Sequence, residues 1–247
     1  ETATGGTDTV RVNLSGNVAA FVMGNFVENA VILTASGAYV AGGASANSIT
    51  GGIGADTLQG GAGDTLAGGT GNDVYIVDAA GVTVAEGSAA GTDEVQTGLA
   101  SYALDANVEN LTYRRAAGLS SDAAVSFIGN SLDNTITGGA GNDTLTSVGG
   151  NDSLDGGAGN DVYVLSGAGD SMMDSGGTDE VRLGYSTAIY TLSGGLENLT
   201  NSFNGATVLV GNTVANAITG GTAADSIYGG EGGGAGDSLS GGAGADI

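Results

Sequence analysis

The residues with most chemistry open to them are aspartates at the sixth position of a glycine-rich nonapeptide. Gly51 to Gln59 reads GGIGADTLQ, Gly68 to Ile76 reads GGTGNDVYI, Gly138 to Thr146 reads GGAGNDTLT and Gly156 to Val164 reads GGAGNDVYV. Looser copies run from Ser147 to Asp155 (SVGGNDSLD) and from Gly220 to Tyr228 (GGTAADSIY), and a truncated GGAGADI starts at Gly241. Turns at Gly60 and Gly233 are one residue short, and Ala223 stands where a glycine is expected. Each run is preceded by a rung with asparagine at the aspartate position: Asn47, Asn134 and Asn216. Carboxylates at fixed short intervals can hold a hard cation, or serve as acid and base when two of them flank a sugar.

The spacing fixes the elements that must position these carboxylates. Six residues make a tight turn and three make a short strand. Glycine reaches backbone angles closed to other residues and lets carbonyl oxygens point inward with no Cβ in the way. The apolar residue at position eight (Leu58, Tyr75, Leu145, Leu154, Tyr163, Ile227 and Leu239) is expected to face inward and stack into a core. Two half-turns close one flattened coil, so rungs two apart share a side. The expected fold is all-β, a parallel β-roll or β-helix solenoid of stacked Gly/Asp-rich rungs. Stacking puts aspartates in columns, where two carboxylates 5 Å apart repel by roughly 3 kcal/mol at an effective dielectric of 20. A cation with six to eight oxygen ligands relieves this, and calcium fits better than magnesium, which demands a small octahedron and holds its waters.

Composition agrees. There are 27 acidic residues against 4 basic ones, all arginine, for a net charge of −23. That balance opposes a compact state unless counter-ions bind, and it argues against nucleic acid and anionic membranes as partners. No Cys or His is present, which excludes disulfides, thiolate sites, a histidine-based triad and imidazole-ligated zinc. No apolar run approaches a membrane span. Fifty glycines without a single proline exclude collagen.

A longer period encloses the nonapeptides. GTDTV at Gly6 recurs as GTDEV at Gly91 and Gly177, VEN at Val27 recurs at Val108 and as LEN at Leu196, and ITGG starts at Ile49, Ile136 and Ile218. The expected organisation is one continuous solenoid over 1–247 of about three repeats of about 86 residues, with nonapeptide runs near 42–76, 129–164 and 211–247. The chain begins and ends inside a repeat, which suggests a segment of a longer array. Asp8, Asp93 and Asp179 of the GTD turns are either further ligands, with Asp78, Glu86 or Asp174, or solvated turn residues. Glu28, Glu109 and Glu197 either join the columns or mark exposed strand ends, the second being the default. Arg114 and Arg115 form the only basic pair, for which a surface salt bridge is the default.

These nonapeptides resemble the signature of the RTX (repeats-in-toxin) calcium-binding repeat proteins, and the rungs at Gly51, Gly68, Gly138 and Gly156 match it at every fixed position. The resemblance implies several Ca2+ ions, each between one turn (carbonyls of positions one and three, and its Asp) and the turn two rungs on (carbonyls of positions two and four, and its Asp). Gly51, Ile53 and Asp56 would face Gly69, Gly71 and Asp73. Gly138, Ala140 and Asp143 would face Gly157, Gly159 and Asp161. Gly220, Thr222 and Asp225 would face Gly242, Gly244 and Asp246. On the other side Asn47 would face Asp64, Asn134 would face Asp152, and Asn216 would face Asp237, with weaker binding because one ligand is neutral. The resemblance also implies a bacterial chain secreted by a type I route and folding outside the cell. No residue set breaks the repeat symmetry as a unique catalytic centre should, so no enzyme activity is expected. The expected role is a surface-layer, fibre, stalk or matrix component that self-associates end to end or continues into neighbouring repeats. The alternative is a calcium-dependent folding or secretion module of a larger enzyme or toxin.

Overall fold

A computed structural model describes residues 5–13, 20–115, 123–230 and 236–247. The turn at Gly233 and the first four residues lie wholly or partly outside them. The chain divides into two compact units, Glu1–Gly118 and Leu119–Ile247. All regular structure among the described residues is β-strand, and every described ladder is parallel. Among the described residues no helix is long and apolar enough to cross a membrane.

In the first unit, successive strands alternate between two sheets. One stacks Thr9–Val12, Asn29–Ile32, Ser48–Ile53, Thr65–Thr70 and Thr83–Val84. The other stacks Ala20–Val22, Tyr39–Ala41, Thr57–Gly60, Val74–Val77, Glu94–Thr97 and Asn110–Tyr113. Register places Ala30, Ile49, Leu66 and Val84 in one line, and Val40, Leu58, Tyr75, Val95 and Leu111 in a second. Every one of these side chains is buried. The core is thus two facing stacks of mainly aliphatic side chains, the thin core that a chain without Trp can build.

The second unit repeats the scheme. Ser126–Ile128, Thr144–Thr146, Val162–Leu165, Glu180–Leu183, Asn198–Asn201, Ala217–Thr219 and Ser238–Ser240 form one sheet. Interleaved with them are two ladders: Thr135–Gly139, Ser153–Ala158 and Ser171–Gly176, then Ile189–Thr191, Val208–Val210 and Ser226–Tyr228. Phe127, Leu145, Tyr163, Val181, Leu199 and Ile218 make one buried line, and Ile136 with Leu154 begins the other. Two position-eight residues depart from expectation. Ile227 is only half-buried and Leu239 is 46 % exposed. They sit on the last described rungs, where no further described coil stacks over them.

One coil does not have one length. Thr57 pairs with Val74, Thr144 with Val162, Val74 with Glu94 and Ala217 with Ser238, which are steps of 17, 18, 20 and 21 residues. Strands keep register while the turns outside them absorb insertions.

Candidate metal centres

Glycine chemistry shapes each turn. Gly157 and Gly159 hold φ of 90° and 127°, in the region that favours glycine. A Cβ on them would lie 1.8 Å from the Gly139 carbonyl oxygen and 2.0 Å from that of Gly141. Only bare backbone lets successive turns approach so closely. Position-three side chains stay outside: Ile53 is 68 % exposed, and Ala140 and Thr222 are exposed too.

The aspartates fold back under these turns and link one coil to the next. The Ala38 N–H donates to Asp56 Oδ1, the Asp56 N–H to Asp73 Oδ1 and the Asp73 N–H to Asp93 Oδ1, at 2.7, 2.7 and 2.8 Å. In the second unit the Val125 N–H donates to Asp143, Asp143 to Asp161 and Asp161 to Asp179, at 2.8, 2.7 and 2.7 Å. Thr207, Asp225 and Asp246 form a third such chain, the N–H of each of the first two donating to the next carboxylate. Asn47, Asn134 and Asn216 donate their N–H groups to Asp64, Asp152 and Asp237. The six partner pairs anticipated from the sequence are therefore neighbours in the fold. Asp56, Asp64, Asp73, Asp143, Asp152, Asp161 and Asp225 are buried, whereas Asp246 is half-buried and Asp237 exposed. The glycines follow the same division. Gly51, Gly138 and Gly220 are buried, Gly69, Gly71, Gly157 and Gly159 half-buried, and Gly242 and Gly244 exposed.

The second carboxylate oxygen separates two groups. Asp56, Asp64 and Asp225 turn Oδ2 toward an N–H of their own turn, from Gly52, Gly61 and Gly221. Oδ2 of Asp73, Asp93, Asp161 and Asp179 is buried with no hydrogen-bond partner. Orphaned buried oxygens are costly unless something electropositive meets them. Above Asp161 the first glycine of its own turn leaves room: a Cβ on Gly156 would lie 2.1 Å from Oδ2. Buried carboxylate oxygens under a side-chain-free turn fit a hard divalent cation. Burial pushes Asp73, Asp93, Asp152 and Asp179 up to about 6, helped by neighbouring acids (Asp56 and Glu86 for Asp73, Asp174 and Asp161 for Asp179). Asp56 and Asp161 are also raised, chiefly by burial.

Several participants were not foreseen as such. The Asp8, Asp93 and Asp179 N–H groups donate to Oε2 of Glu28, Glu109 and Glu197, at 2.8, 2.8 and 2.9 Å. These glutamates are half-buried column ends, not the exposed strand ends taken as default. Asp93 and Asp179 are buried, which removes the solvated-turn reading for both. The Asp152 N–H donates to Asp170 Oδ1, so the Asn134 column gains a second acid. Recurrence of GTD and V/LEN in the same order three times was the available signal for the glutamates. Asp170 had none. Asp78 instead pairs with Arg114 at 2.6 Å on the surface.

The family model for the RTX calcium-binding nonapeptide repeat matches residues 39–64, 63–74, 128–163, 210–233 and 231–247. The chain carries RTX calcium-binding nonapeptide repeats. The matched stretches hold both members of all six anticipated pairs, whereas Asp93 and Asp179 of the linking GTD turns fall outside them. No curated protein and no solved structure matches the chain. The match makes calcium the ion expected at these repeats, and the columns offer it oxygen ligands alone.

Proposed function

We propose that this RTX-repeat chain is an extracellular, calcium-folded structural repeat protein of a bacterial surface layer, fibre, stalk or matrix, without enzymatic activity. One observation carries the reading: the Asp56–Asp73–Asp93 and Asp143–Asp161–Asp179 columns end on the linking-segment glutamates Glu109 and Glu197, so linker and nonapeptides form one repeated metal-dependent device. Calcium near millimolar outside a cell suits modules of this kind, whereas low intracellular calcium leaves the carboxylates repelling one another. Such a chain crosses a secretion channel unfolded and folds on arrival. Parallel solenoid sheets also present edge strands whose free N–H and C=O groups template pairing with another coil, of a second copy or of further repeats. The buried carboxylates are engaged by backbone N–H groups under glycine turns, a setting that suits a cation and not a sugar.

The test is assembly of the purified chain after Ca2+ addition, followed by sedimentation and electron microscopy. Ordered filaments or sheets are expected. A chain that folds with calcium but stays monomeric would contradict the structural role and favour a folding module of a larger secreted protein.

A further inference from the structure

Where the second nonapeptide run meets its linking segment, three carboxylates converge. We propose that Asp161, Asp174 and Asp179 form a three-carboxylate divalent-cation site at the end of the Asp143–Asp161–Asp179 column, where Asp174 adds a ligand from outside the nonapeptides; the proposal rests on the calcium-dependent fold proposed above. One oxygen from each lies within 4.8 Å of the other two. Asp161 is 1 % exposed and Asp179 0 %. Oδ2 of both and Oδ1 of Asp174 are buried without a hydrogen-bond partner.

The other oxygen of each carboxylate is already committed. Asp161 Oδ1 accepts from the Asp143 N–H, Asp179 Oδ1 from the Asp161 N–H, and Asp174 Oδ2 from the Gly176 N–H, each at 2.7 Å. Backbone donors thus fix three carboxylates and leave one oxygen of each for a shared ligand. Arg182, the basic residue of the adjoining strand, is bound to Glu180 at 2.6 Å.

Local irregularity brings Asp174 in. Strand Ser171–Gly176 pairs with Ser153–Ala158, but register shifts after Asp155, so Gly157 faces Asp174 and Ala158 faces Gly176. Such bulges re-aim side chains. Asp174 belongs to no nonapeptide, and it adds a third negative charge to a site that the repeat pattern furnishes with two. The first unit shows the contrast. There Asp73 and Asp93 are joined by Glu86, but Glu86 Oε1 accepts from the Tyr75 hydroxyl and the Gly68 N–H. In the second unit the Tyr163 hydroxyl donates to the Met173 carbonyl instead, at 2.8 Å, and leaves the acid free. All-oxygen ligation with three charges selects a hard cation, and ligand charge raises its affinity above that of the two-carboxylate sites.

The site can be read in the full chain by titrating Tb3+ in place of Ca2+ and exciting tyrosine, since the Tyr163 hydroxyl lies beside Asp161 under the same turn. An early-saturating emission phase is expected. Asp174→Asn, which keeps an acceptor for the Gly176 N–H, should move that phase to about tenfold higher Tb3+. Tyr163→Phe, which leaves all three carboxylates in place, should remove the phase, and Glu86→Gln should leave it unchanged. An early phase insensitive to both Asp174→Asn and Tyr163→Phe would overturn the site. Absence of any Tb3+ or Ca2+ binding by the parent chain would instead sink the calcium-dependent fold itself.

Discussion

At the scale of single residues, the carboxylates act as backbone acceptors as well as candidate ligands. Glu197 shows the first role. It accepts the N–H of Asp179, which is fully buried. Glu197→Ala should strand that donor and cost about 1–3 kcal/mol, whereas Glu197→Gln keeps an acceptor and should cost far less. Urea unfolding in saturating calcium measures the difference. Proton linkage gives a second prediction. Asp73, Asp93, Asp152 and Asp179 sit at about 6 when folded without metal. Unfolded aspartate titrates near about 3.9. Between those values the folded metal-free chain binds more protons than the unfolded one, so its stability rises as pH falls. Calcium needs the deprotonated form and loses to protons below about 6. The calcium concentration at the folding midpoint should therefore be much higher at about pH 5 than at about pH 7.5. Equal midpoints at both would contradict burial as the cause.

At the scale of the rung, stability is a sum of neighbours. Leu145 is fully buried between Phe127 and Tyr163, so Leu145→Ala should cost about 2–5 kcal/mol. Leu239 occupies the same nonapeptide position at 46 % exposure, and Leu239→Ala should stay within about 0.5 kcal/mol. Comparing urea midpoints checks both. Inward-facing position eight was legible because glycine turns lock the strand phase, and the burial of Leu58, Leu154 and Tyr163 follows from it. Glu28, Glu109 and Glu197 were not legible as caps, because they lie 20, 16 and 18 residues from the donors they receive. Turns of variable length erase any fixed period between them, and only folded register shows the contact. Asp174 was obscured in another way: a register shift between adjacent strands carries no signature in a single sequence.

At the scale of the whole molecule, charge is the dominant fact. A net charge of −23 with four arginines leaves internal cations too few to neutralise the aspartate columns. Two of those arginines are occupied by Asp78 and Glu180. Bound metal would relieve the repulsion within each column, so folding and calcium binding are expected to form one equilibrium. Far-UV circular dichroism of the chain at neutral pH, with calcium and then with excess EGTA, measures that coupling most directly. The β-sheet spectrum should collapse to that of an unfolded chain on chelation and return when calcium is restored. A spectrum unchanged by EGTA would show that the aspartate columns hold together without metal and would contradict the account.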